Sequence, residues 1–112
     1  MKWIPLENLE QLDQIKASNE FSLIFKHSTR CSISMMARKR FELDWDALPE
    51  TTHLYFLDLI RFRDISNTIA EMFNVHHQSP QLLLIKNGEC IYETSHGEIS
   101  AEETAEQITV QK

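Results

Sequence analysis

A chain of 112 residues, 42% apolar and 25% charged, has the composition of one ordinary globular domain, 1–112, long enough to bury a core without covalent staples. Its net charge of −6 argues against a nucleic-acid surface, and no apolar run approaches the roughly 18 residues of a membrane span. The 2 cysteines are too few for a disulfide framework, and the opening Met1–Leu6 is too short for a signal-peptide core, so the expected setting is a reducing cytoplasm.

Leu6, Leu9, Leu12 and Ile15 recur near helical spacing and predict a first helix from about Leu6 to Ala17. Ser22 to His27 follows as a buried strand. From Ser32 to about Leu43, the stripe Ile33, Met36, Ala37, Phe41 reads as the inward face of a helix. Arg38, Lys39 and Arg40 lie mostly outside that stripe, and with Arg61 and Arg63 they read as solvated helix surface. Trp3, Phe41, Trp45 and Met36 are expected in the core. Pro49 punctuates the return to a second strand, His53–Leu59, whose apolar centre suits a parallel strand covered on both faces.

Ile65, Ile69, Met72 and Phe73 mark the next helix, which Asn74 closes. Gln81–Lys86 and Glu89–Thr94 are short strands joined by Asn87-Gly88, the signal of a type I′ hairpin. Ser100 and Glu103 have the spacing of a capping box and open a last helix toward Val110. The order α-β-α-β-α-β-β-α predicts an α/β fold: a central four-stranded mixed sheet flanked by helices on both faces. Strands 22–27 and 81–86 are expected at its centre, with 52–59 and 89–94 at its edges.

The first of these strands delivers Cys31 to the start of a helix. Unpaired N–H groups and the positive end of the helix dipole favour a thiolate there, and Arg30 and Lys26 add positive charge in sequence. Thiols so placed have pKa values of roughly 3.5–7.5, against about 8.5 for free cysteine. The competing reading is a small inert residue packed under the helix. Ser34 stands one helical turn on, where a dithiol oxidoreductase keeps its second cysteine. A hydroxyl there can donate to a thiolate but cannot displace a mixed disulfide; equally, Ser34 fits as an ordinary polar residue of a first turn. His27, His76 and His77 beside Cys31 raise the question of zinc, but the chain has no Cys-x-x-Cys or His-x-x-x-His pair, and no metal is expected. His27 or His77 either polarises the thiol or bonds to backbone.

The βαβ unit with its Cys at the first strand-to-helix turn, together with Ile69–Val75 and Ser79–Gly88, resembles the thioredoxin superfamily. Within it the chain resembles the monothiol bacilliredoxins of the YtxJ type. The likeness is carried by Lys26-His27-Ser28-Thr29, by Cys31-Ser32-Ile33-Ser34, by His76 with Ser79-Pro80-Gln81, and by Ser95-His96 with Ile99. It implies a thioredoxin-like fold and an oxidoreductase whose Cys31 removes bacillithiol from protein mixed disulfides. Bacillithiol is then the co-substrate, no cofactor is bound, and the partners are bacillithiolated client proteins. The resemblance also implies a cis Ser79–Pro80 bond facing Cys31, with Arg30, Ser32, Ile33, Ser79 and Pro80 as substrate contacts. Cys90 then falls beside Ile85, about five residues at about 3.4 Å each from the level of Pro80, beyond the roughly 7 Å Cα limit for a disulfide to Cys31.

Two positions depart from the family pattern Thr-Cys-Pro-Ile-Ser: Ser32 stands where proline is usual, and Arg30 where threonine is. Ser32 keeps an N–H that can point at sulfur, and leaves the turn without proline's fixed φ. Two other functions share this outline. One is an iron–sulfur carrier like a monothiol glutaredoxin, although Cys-Gly-Phe-Ser is absent; the other is a non-catalytic module that binds clients along the edge at Pro80.

Overall fold

The computed structural model describes residues 1–111. Its elements are β1 (Ile4–Pro5), α1 (Leu9–Ala17), β2 (Ser22–His27), α2 (Ser32–Asp44), β3 (His53–Asp58), α3 (Arg63–Met72), β4 (Gln81–Lys86), β5 (Glu89–Ser95) and α4 (Ala101–Gln111). Short 3₁₀ turns follow α2 at Trp45–Ala47 and precede α4 at His96–Glu98. The sheet has 5 strands in the order β1-β3-β2-β4-β5, one more than expected. The α/β class and the helices on both faces stand as expected.

β1 is the correction to the sheet. It pairs parallel with β3, Ile4 opposite Tyr55 and Pro5 opposite Phe56, so His53–Asp58 is an interior strand and not an edge. A strand of 2 residues has no periodicity to read, and Pro5 disguises it, though an edge is where proline is tolerated. β2 runs parallel to β3 and antiparallel to β4, which closes the hairpin with β5. At its turn Asn87 and Gly88 have φ of 54° and 77°, the left-handed pair a type I′ turn requires.

Strand alternation sorts the core into two layers. Leu23 and Phe25 of β2 with Leu82 and Leu84 of β4 pack on Ala37 and Phe41 of α2 and Ala101 and Ile108 of α4. Ile24, Leu83 and Ile85 face the other way, onto Leu12 and Ile15 of α1 and Ile65 and Ile69 of α3. Trp3 joins the first layer from the chain's start, its ring centroid 5.4–5.7 Å from those of Phe25, Phe41, Trp45 and Phe56.

Helix boundaries follow capping chemistry. α1 begins at Leu9 and not Leu6, because the Asn8 side chain accepts from Gln11 N–H at 3.0 Å and Gln11 Oε1 accepts from Asn8 N–H at 3.2 Å. Leu6 is buried all the same, whereas Leu9 faces out. At α4, Ser100 Oγ accepts from Glu103 N–H at 3.2 Å, the serine half of the expected box. Asn74, at φ 53°, closes α3 as expected.

The inward face of α2 also needs correcting. Its buried positions are Ser34, Ala37 and Phe41, while Ile33 and Met36 are 57% and 65% exposed. At 100° per residue, Met36 lies about 130° around the helix from the centre of the buried stripe, so it belongs to the surface. Arg38, in turn, is not simply solvated: its guanidinium sits 4.5 Å from the Phe56 ring centroid, and its Nε donates to Glu42 at 3.1 Å.

Candidate active site

β2 ends at His27, a turn closes with Cys31 N–H donating to Ser28 O at 3.1 Å, and α2 starts at Ser32. Cys31 is the N-cap, extended at φ −110° and ψ 119°, and its own carbonyl accepts from Met35 N–H at 3.2 Å. Sulfur thus occupies the place where an oxygen usually caps a helix. The neutral thiol makes no full capping bond. The N–H groups of Ser34 and then Ile33 nevertheless hold its pKa below the ordinary thiol value; desolvation opposes them, and the Ser34 hydroxyl adds a smaller lowering.

Ser34 is fully buried, and its Oγ has no hydrogen-bond partner, sulfur included, among the described residues. A buried hydroxyl without a partner is costly, and its effect on the thiol is a minor lowering of the Cys31 pKa. The lowering of the thiol comes from the start of α2 and not from the basic residues named above. Arg30 is exposed, and Lys26, two-residue alternation placing it with Ile24, points away toward α3. Ser32 and Ile33 are exposed on the first turn beside the sulfur, open to a binding partner.

Neither histidine polarises Cys31 as a cation. His27 is buried with its ring 4.9 Å from that of Phe56, and burial, then Arg38, pull its pKa below the usual value against opposing pulls from Asp58 and the Ser34 backbone. It lines a crevice of about 310 Å³ with Thr29, Met35, Arg38, Lys39 and Glu42. His77 is turned to Lys26, whose Nζ donates to its Nδ1 at 3.2 Å and to Ser66 O at 3.2 Å. Ser66 Oγ lies 3.4 Å from the same ring nitrogen.

That contact of the buried Lys26 and Ser66 with the exposed His77 is what sequence reading missed. The available signal was a lysine inside an otherwise apolar strand.

The Ser79–Pro80 bond is cis, as the resemblance implied. Pairing of Lys26 with Gln81 puts Pro80 one step beyond, at the end of the sheet where β2 gives way to the Cys31 turn. Pro80 is buried and Ser79 half-buried. Gln81 stitches the approach to them: its Nε2 donates to His76 O at 3.0 Å, and its Oε1 accepts from Gln78 N–H at 3.3 Å.

Cys90 is chemically the opposite of Cys31. It lies opposite Ile85 as expected, burial pushes its pKa up to about 11, and its Sγ donates to Tyr92 O at 3.4 Å. Both thiols are free.

Comparison with known proteins agrees with this architecture. A solved structure described as a putative oxidoreductase with a thioredoxin fold superposes with a TM-score of 0.79 at 31% identity, over 94% of this chain and 92% of that one. Thioredoxin from Trypanosoma brucei brucei gives a TM-score of 0.73 at 11% identity, over 98% of this chain and 90% of that one. Thioredoxin from Malassezia sympodialis gives 0.69 at 17% identity, over 98% and 90%. These two thioredoxins speak for the fold alone. The family described as Monothiol bacilliredoxin BrxC matches residues 4–104. With a thioredoxin fold, a helix-capping cysteine and that match over nearly its whole length, the chain belongs to the monothiol bacilliredoxin family and has a thiol-redox role.

Proposed function

We propose that the protein is a monothiol oxidoreductase that strips bacillithiol from client proteins through Cys31. The carrying observation is the contrast within one helical turn: a thiol with lowered pKa at the N-cap of α2, and a buried serine, not a second thiol, at position 34. The Cys31 thiolate attacks the bacillithiol sulfur of the mixed disulfide. A sulfur–sulfur bond forms to Cys31 as the bond to the client breaks, and the client leaves as a thiolate that takes a proton from water. Ser34 cannot resolve the adduct. A second bacillithiol thiolate attacks the bound bacillithiol sulfur, releases Cys31 as thiolate and departs as oxidised bacillithiol. The transferred bacillithiol sulfur stays at disulfide level throughout, and the second bacillithiol, oxidised as the client sulfur is reduced, supplies the electrons, so no bound cofactor is needed.

Ser79 and Pro80, with the exposed Arg30, Ser32 and Ile33, form the client-contacting rim, the client segment adding as an extended strand beside Ser79. We place the reaction in the cytoplasm, where thiols stay reduced. Among the described residues no helix is long and apolar enough to cross a membrane.

The test is intact mass and peptide mapping after reduced protein is incubated separately with the disulfides of bacillithiol, glutathione and coenzyme A. The expected result is a bacillithiol adduct on Cys31, formed in preference to the others and absent from Cys31→Ala. A variant lacking Cys31 that still frees client thiols would sink the reading. Client binding with no adduct at all would leave a non-catalytic module in its place.

A further inference from the structure

Lys26 is fully buried, yet among the described residues no carboxylate lies within ion-pairing distance of it. Among the described residues its ammonium is met only by the Ser66 carbonyl and His77 Nδ1. Burial lowers its pKa to about 8, which still leaves it mostly protonated near neutral pH. A buried cation without a counter-ion is costly, and the cost is reduced if an anion binds beside it.

The place for such an anion is adjacent. Ser66 and His77, the two residues Lys26 touches, line a pocket of about 170 Å³ with Leu59, Arg63 and Asn67. An ammonium can only donate, so His77 Nδ1 accepts, and the neutral ring must carry its hydrogen on Nε2 as a free donor. Burial, then Lys26 and His76, hold the His77 pKa below its usual value, so neutral is its state at pH 7. Arg63 is exposed and makes no ion pair among the described residues. Asp64 is exposed and does not line the pocket, while Asp58 accepts from the Ile60 and Arg61 N–H groups. A pocket with this lining concentrates positive potential on a chain of net charge −6.

We propose that the pocket at Arg63 and His77 is an anion subsite that takes a carboxylate of the small thiol during its transfer. The proposal rests on the bacillithiol reading above, since bacillithiol carries carboxylates on a malyl arm. His77 precedes Pro80 by three positions in sequence, so an anion held here is tethered to the loop that approaches the Cys31 end of the sheet. Arg63 would supply the charge-assisted contact, His77 Nε2 and Asn67 neutral donors, and Lys26 a fixed field from behind.

The experiment uses the reduced full chain and L-malate as probe, with glycerol as the uncharged control. The His77 imidazole signal in NMR is expected to shift saturably with malate, its pKa to rise, and glycerol to do neither. Arg63→Gln, a surface change that spares the core, is expected to weaken the malate response about tenfold. It should also reduce by a similar factor the preference, in kcat/KM, for bacillithiol disulfide over hydroxyethyl disulfide. Lys26→Met should weaken the malate response in the same direction. No response of His77 to malate, or an unchanged response in Arg63→Gln, overturns the subsite. A malate response that Arg63→Gln abolishes, combined with equal turnover of the two disulfides by the wild type, upholds the subsite and overturns bacillithiol as its source.

Discussion

Lys26 of β2 and Gln81 of β4 are cross-strand partners, and both reach into the segment leading to Pro80. Lys26 holds the His77 ring, and Gln81 holds the His76 carbonyl and the Gln78 N–H. The two central strands therefore fix this loop from beneath, through groups that are both fully buried.

The lysine should show itself in the pH dependence of stability. Its folded pKa, about 8, lies below the ordinary 10.5, so between those values the unfolded chain binds more protons and stability rises with pH. The handicap is fully present below about pH 8 and is relieved by about 10.5. Cys90 works the other way, since its pKa is raised from 9.0 to about 11 and its stabilisation is lost across that range. The difference between wild type and Lys26→Met isolates the lysine. From pH 8 to 10, denaturant unfolding should show the wild type gaining on the variant, by on the order of 2 kcal/mol. Parallel stability curves would mean that Lys26 titrates normally.

Reactivity should separate the two cysteines. Iodoacetamide at neutral pH is expected to alkylate Cys31 at least about tenfold faster than Cys90, with a pH midpoint for Cys31 below that of free cysteine. Ser34→Ala should move that midpoint up, because the hydroxyl is among the groups that lower it. Peptide mapping with timed quenching reads both. Equal labelling of the two sites would contradict the assignment of Cys31 as the reactive thiol.

Ser34→Cys should convert a one-thiol cycle into a two-thiol cycle. Position 34 is buried one helical turn after the N-cap Cys31, and well-oriented intramolecular reactions reach effective molarities of about 10⁵ M or more. Treated with oxidised bacillithiol, the wild type should keep its adduct, while the variant expels bacillithiol and loses the mass of H₂ by closing a disulfide. A Cys31–Cys90 bridge in the wild type, or an adduct equally long-lived in the variant, would refute the geometry.

The two glycines should respond very differently to alanine. At Gly88, φ is 77° and an added Cβ would meet the Lys16 carbonyl oxygen at 2.7 Å, so Gly88→Ala is expected to cost about 2 kcal/mol or more. A Cβ added at Gly97 would meet nothing within 4 Å among the described residues beyond its chain neighbours, and Gly97→Ala should change stability by no more than about 0.5 kcal/mol. Thermal or urea unfolding of the pair decides it; equal effects would show that the Lys16 contact is not rigid.

Most elements were legible because their signals are local. Asn87-Gly88 marks its own turn, and the strand ending at His27 delivers Cys31 to a helix whatever surrounds it. The misreadings came from signals that are not local. Ile4–Pro5 becomes a strand only because β3 presents a free edge to it, with Leu6 N–H continuing the ladder to Phe56 O at 2.9 Å. The stripe Ile33, Met36, Ala37, Phe41 follows hydrophobicity, whereas the face of α2 that the sheet covers runs through the polar Ser34 and leaves Ile33 and Met36 outside. Lys26 looked like a charge beside Cys31 because it is near in sequence, although strand parity sends it to the opposite layer. The Lys26–His77 contact spans 51 residues, which no reading of spacing could supply.

A sulfur that serves as the N-cap of α2 also ties covalent chemistry to helix fraying. As a thiolate it satisfies the first N–H groups of that helix; once joined to another sulfur it carries no charge and accepts poorly, and the same amides are returned to water. The charged, reduced form is therefore the better-folded one at this end of the molecule. Discharging the adduct repairs the first turn of α2, and the repair energy biases the exchange toward release. Hydrogen exchange at Ile33 and Ser34 should then run faster in the adduct than in the thiolate form, so the backbone itself registers whether the site is loaded.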